Sequence, residues 1–143
     1  MPVLSNGDAK LYVDPEPLHR TIPARAEELA PLRRDVTEYA RSLGAVDPFA
    51  VALALSETVS NAIVHAYVGE PTPGDVEVRA EATDAGESLR LTVVDHGRGM
   101  IPRTDSPGIG AGLPLVSRVA KRFDIREAPD GGTQICMVFA VAG

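Results

Sequence analysis

With 143 residues and 44% apolar side chains, the chain is long enough to close one domain around a core of its own. Its formal charge of −6 and isoelectric point near 5.0 leave no basic footprint for a phosphate backbone, which argues against direct nucleic-acid binding. Cys136 is the only cysteine, so an intrachain disulfide is excluded, and its place in the apolar run ICMVF reads as a small buried side chain in a reducing, cytoplasmic setting.

Residues 1–17 are rich in Gly, Pro, Asn and Asp and read as a mobile leader ahead of a single domain spanning 18–143. The leader carries Asp8, Asp14 and Glu16 and lacks the charged-then-apolar pattern of a signal peptide. Across 24–43, Leu29, Leu32, Val36, Tyr39 and Leu43 recur at steps of three and four with Gly44 as a stop, which predicts an amphipathic helix. Asp47 as N-cap and Pro48 at the first helical position open a second helix running to Gly69. Its first half is apolar almost all round, so it is expected at the centre of the domain, yet Ser56, Glu57, Ser60 and Asn61 interrupt it. The apolar runs at 49–55 and 135–142 fall short of the roughly 20 residues that span a bilayer, so no membrane segment is expected.

After the turn signal EPTPGD, the runs VEVRAEAT and SLRLTVVD alternate in apolar character on either side of DAGE and predict an antiparallel hairpin. A loop dense in Gly and Pro covers 97–112, then LPLVSRVAKRF predicts a third helix with Pro114 tolerated in its first turn. DIREA, the turn PDGG and TQICMVFAVA predict a second hairpin, completing an α+β sandwich with the helices on one face of the sheet.

Three segments carry candidate chemistry. Glu57 and Asn61 are four apart on one helix, so both side chains leave the same face and can converge on one ligand, although the pair alone is better described as an ordinary polar stripe touching solvent. Asp95 ends an apolar strand and is followed by Gly97 and Gly99 in DHGRGM. A carboxylate there can accept a hydrogen bond from an amino group, and glycines let the backbone approach a flat ring; a turn that merely needs glycine has the same composition. In PGIGAGLPL, Gly108, Gly110 and Gly112 lead into the third helix, where free N–H groups suit phosphate.

In order and spacing the three segments resemble the GHKL ATPase superfamily, the fold shared by gyrase, the 90-kilodalton heat-shock chaperone, histidine kinases and MutL. LSETVSNAIVHAY is similar to the N-box of the bacterial anti-sigma-factor serine kinases, and the other two segments resemble the G1 and G2 boxes, with the likeness extending over residues 21–139. The resemblance implies a Bergerat ATP-binding fold, a two-layer sandwich whose mainly antiparallel mixed sheet carries helices on one face. It implies Glu57 as general base, Asn61 as the Mg²⁺ ligand, Asp95 on the adenine amino group and Gly97 and Gly99 packed at the base. By the same likeness Gly110 and Gly112 contact the ATP phosphates with Gly108 and Leu113 in the same loop, Thr133 supports adenine recognition through its hydroxyl, and His65 lines the nucleotide pocket, a position that an ordinary hydrogen-bonded helix histidine fits equally well. Two features depart from the family pattern: Gly108 lies ahead of the aligned glycines, and Pro114 stiffens the start of the third helix. A basic residue on the first helix is expected to face the protein substrate, with Arg33 and Arg34 both open for that role.

These expectations agree with elementary chemistry. A serine hydroxyl is a poor nucleophile at neutral pH, so a carboxylate beside it assists by accepting its proton, while phosphoryl transfer otherwise depends on positioning and charge neutralisation. His19 and His96 show no partners at metal-ligand spacing, which argues against a zinc site. The resemblance implies a cytoplasmic, homodimeric ATP-dependent serine kinase that phosphorylates an anti-anti-sigma protein of the STAS type and sequesters a sigma factor. Two other readings stand beside it: a nucleotide-binding module without kinase activity that switches a phosphatase or other regulator by contact, and the catalytic half of a split histidine kinase.

Overall fold

The computed structural model describes residues 13–97, 112–129 and 131–142; the first twelve residues of the expected leader and most of the glycine-rich loop lie outside them. In chain order the elements are β1 (Leu18–Pro23), a 3-10 turn (Ala26–Glu28), α1 (Leu29–Leu43), α2 (Pro48–Asn61), a π-helical turn (Ala62–Ala66), β2 (Asp75–Thr83), β3 (Ser88–Asp95), α3 (Gly112–Val119), β4 (Arg122–Glu127) and β5 (Thr133–Ala140). The strands form one sheet in the order β1-β2-β3-β5-β4. Each of its four pairings is antiparallel, so the parallel component of a mixed sheet is not seen among the described residues.

Local signals account for most of these elements. The Asp47 carboxylate caps α2 by accepting the Ala50 N–H at 3.1 Å, with Pro48 in the first turn where its missing N–H costs nothing. Gly44 closes α1 at φ +87, a left-handed conformation in which its N–H turns back to the carbonyls of Ala40 and Arg41. Alternation in β2 and β3 puts Val76, Val78 and Ala80 opposite Asp95, Val93 and Leu91 on one face. Leu91 then pairs with Met137, and Met137 with Phe123, extending a single apolar row across the sheet.

That row is covered by the helices. Leu32 and Val36 of α1 and Val51, Leu55 and Val59 of α2 are buried against Val78, Leu89, Leu91 and Met137, and Val116 of α3 joins the same core. Burying side chains of this size contributes about 1.5–3 kcal/mol each. The two-layer α+β architecture expected from the sequence is therefore the one observed.

Three boundaries differ. β1 is an edge strand with only Leu18 and Ile22 as apolar anchors, and its Arg20 and His19 are exposed, so it carries too little alternation to be read from sequence. The third helix stops at Val119 rather than Phe123 because Arg122 and Phe123 are already paired with Val138 and Met137 in β4. The second helix does not run regularly to Gly69 but widens into the π turn after Asn61.

The stretch Pro48–Ala66 has a mean hydropathy of 1.3 over a span long enough to cross a bilayer, which the separate apolar runs did not suggest. It packs against α1, α3 and β3 with Val51, Leu55 and Val59 fully buried, the position of a domain's core helix.

Candidate functional site

Because β3 alternates, Asp95 points to the helix-covered face at the very end of its strand, in one row with Val76, Thr133 and Glu127. Asp95 is 3% exposed and Thr133 1%, so a carboxylate and a hydroxyl sit side by side at the rim of the core. A buried carboxylate needs hydrogen-bond donors. The Gly97 N–H supplies one, donating to Asp95 Oδ1 at 3.0 Å and closing a tight turn directly after the strand.

Two glycines make this corner possible. A Cβ on Gly97 would lie 2.0 Å from the carbonyl oxygen of Ala66, the last residue of the π turn. A Cβ on Gly132 would lie 1.9 Å from the Asp95 carbonyl oxygen. Both obstacles are backbone atoms, so only glycine lets the end of the helix, the exit of β3 and the entry of β5 meet at this distance. The π turn is a widened i→i+5 segment of the kind found at functional sites, and here it brings its carbonyl onto the Asp95–Gly97 turn.

Glu57, Asn61 and His65 follow from that contact. All three are half-buried, and they recur every four residues along α2 and the π turn. Asn61 lies about one and a half turns, and Glu57 about two and a half turns, before Ala66 along the helix. Thr58 and Val59, between them in sequence, are buried toward the core, with Thr58 Oγ1 donating to the Ala54 carbonyl at 2.8 Å. The polar cluster inside an apolar helix is thus a flank leading to the Asp95 corner.

Gly112 opens α3, which packs against α2, and Pro114 sits in the first turn of α3 as expected. Gly99, Gly108 and Gly110 and the side chain of Leu113 lie outside the described residues. Asp95, Gly97 and Thr133 are brought together, and the helix bearing Glu57, Asn61 and His65 is brought to the same corner.

Sequence reasoning missed Gly132 and Tyr67. The first was legible only as half of GGT, and the second as an aromatic near a turn. His96 and His19 do acquire a partner: His96 Nε2 lies 2.7 Å and His19 Nε2 3.8 Å from the Glu77 carboxylate, on the open face of the sheet. Their separation in sequence hid this, because the three residues meet only across β1, β2 and the exit of β3.

The sequence matches the family described as Histidine kinase-like ATPase domain over residues 22–139, a span that takes in the whole corner and both flanking helices. The chain belongs to this family. A solved structure of the RsbU and RsbW domains of Rv1364c from Mycobacterium tuberculosis is similar to this chain, with a TM-score of 0.68 and 25% sequence identity. The likeness covers 89% of this chain and 33% of the other, so this chain spans about a third of the length of that solved two-domain chain. In this ATPase-domain family member, the buried Asp95 carboxylate sits where Gly97 and Gly132 let the π turn, the exit of β3 and the entry of β5 come into backbone contact.

Proposed function

We propose that the chain binds ATP with Mg²⁺ at this corner and is a serine kinase that phosphorylates an anti-anti-sigma protein of the STAS type and sequesters a sigma factor as a homodimer. The observation that carries the reading is the buried Asp95, paired with Thr133 and held by Gly97 against the end of the helix that bears Glu57 and Asn61. Family membership and the likeness to a structure containing an RsbW domain support it.

In this scheme Asp95 accepts a hydrogen bond from the adenine amino group, and the Thr133 hydroxyl and His65 take part in the same pocket. Gly97 and Gly99 lie at the base, and the Asn61 side-chain oxygen is the Mg²⁺ ligand. Gly108, Gly110, Gly112 and Leu113 belong to the phosphate loop. Glu57 accepts the proton of the substrate serine as its oxygen bonds to the γ-phosphorus, and the bond from that phosphorus to the β,γ-bridging oxygen breaks to release ADP.

Arg33 and Arg34 lie along one cleft of about 410 Å³ between α1 and α2, with Arg41 and Phe49 beside them. Phe49 is 73% exposed, and the Arg33 guanidinium donates to Ser56 Oγ at 3.3 Å. Arginines around an exposed aromatic suit recognition of a protein partner, so both candidate basic residues of the first helix belong to the proposed docking side.

Calorimetry with ATP, with and without Mg²⁺, tests the site: Mg²⁺-dependent binding is expected, weakened at least tenfold in Asp95→Asn, roughly the value of one or more lost hydrogen bonds to a charged group. Glu57→Gln is expected to retain nucleotide binding and lose about 10²-fold or more in phosphate transfer to the partner protein. No ATP binding would overturn the nucleotide site. Binding without transfer, together with unchanged partner control by Glu57→Gln, would replace the kinase by a contact-switching module.

A further inference from the structure

Tyr67, directly after the π turn, joins three segments of the site. Its hydroxyl accepts the His96 N–H at 2.9 Å and donates to the Asp75 carbonyl at 2.6 Å, linking the exit of β3 to the start of β2. Its ring is confined on two sides: an added Cβ would lie 2.5 Å from the ring at Gly74 and 3.1 Å from it at Gly97. The hydroxyl is therefore held in place before any ligand arrives.

The backbone of Asp95 is fixed by pairing with Val76 on one side and Thr133 on the other. The residues after it leave the sheet, and they hold the carboxylate through the Gly97 N–H to Oδ1. Among the contacts of the described residues that secure that turn are the His96 N–H on Tyr67 and the His96 imidazole on Glu77. The imidazole contact joins two exposed side chains and is weakened by solvent, whereas Tyr67 grips the peptide itself from a confined ring.

We propose that Tyr67 is a positioning residue for base recognition: by holding the His96 peptide it sets the direction in which Asp95 offers its carboxylate to the exocyclic amino group of an adenine. The inference rests on the reading of this corner as a nucleotide site. Guanine carries a carbonyl oxygen where adenine carries that amino group, so a correctly aimed carboxylate favours ATP and repels GTP. Discrimination between the two nucleotides reports the aim of Asp95 and not merely the stability of the fold.

The test is calorimetric binding of Mg-ATP and Mg-GTP to the full chain, to Tyr67→Phe and to His96→Ala. Tyr67→Phe keeps the ring between the glycines and removes both hydrogen bonds. It is expected to bind ATP about tenfold more weakly while GTP binds no more weakly than before, the factor belonging to about one hydrogen bond. His96→Ala keeps the backbone N–H to Tyr67 and is expected to retain the ATP preference. Equal losses for both nucleotides in Tyr67→Phe, no loss for either, or an equal collapse of preference in His96→Ala would overturn the assignment. Failure of the unsubstituted chain to bind ATP would instead remove the nucleotide site itself, and this inference with it.

Discussion

At Gly97 one methyl group would be placed 2.0 Å from the Ala66 carbonyl oxygen, and neither atom belongs to a side chain that could swing aside. Gly97→Ala must therefore move the π turn, the Asp95 turn or both. Overpacking of this kind costs about 1–3 kcal/mol, so urea denaturation is expected to show a loss in that range, with Mg-ATP affinity lost in calorimetry on the folded fraction. Retained affinity would show that the contact between residues 66 and 97 is not needed for binding. The sequence marked this glycine as a place where the backbone can approach a flat ring. Its actual neighbour was not legible, because Ala66 lies far earlier in the chain and reaches Gly97 only through the stacking of α2 on β3. Glu57 and Asn61 contrast with it: two residues four apart on one helix share a face whatever the rest of the molecule does.

The same division holds for whole elements. The start of α2 was written in Asp47 and Pro48, and the β2–β3 hairpin in its alternation, because caps and pleats are local geometry. The π turn and the short α3 were not legible, since each is set by what the chain must meet next: the Asp95 turn for one, the β4 pairing with β5 for the other. The hairpin turn supplies a test at this scale. Ala85 lies at φ +53 and its neighbour Asp84 at φ +56, both left-handed. Alanine in that region costs roughly 1–2 kcal/mol, while glycine loses roughly 0.5–1 kcal/mol more conformational entropy on folding than alanine does. Ala85→Gly is accordingly expected to stabilise the chain by about 0.5–1 kcal/mol in denaturant titration, without changing nucleotide affinity; a loss of stability would contradict the strained turn.

For the whole molecule, the helices cover one face of the sheet and the other carries charged side chains such as Glu77, Arg79, Glu81 and Arg90 alongside Val94, Cys136 and Val138. The arginines of these pairs are nearly half exposed, which limits what the pairs contribute, so stability rests mainly on the core between the layers. A ligand bound at the rim of that core couples to unfolding of the whole domain. At a free Mg-ATP concentration about a hundred times its Kd, native-state binding adds about 2.7 kcal/mol and raises Tm by roughly 5–10 °C for a domain of this size. Differential scanning calorimetry is expected to show that shift in the unsubstituted chain and about half of it or less in Asp95→Asn at the same nucleotide concentration.

By itself the sequence determined the helical faces, the caps and the hairpins, because these depend on residues within a few positions of one another. It also determined which residue types were available for chemistry. Tertiary structure decided which of them meet. Strand β3 pairs with β5 and not with its sequence neighbour β4, which sets Thr133 beside Asp95, and the π turn then reaches Gly97 to bring the Glu57–Asn61 helix to the same corner. Such contacts are fixed by the order of strands and by how one core accommodates both layers, and no local pattern of residues encodes either.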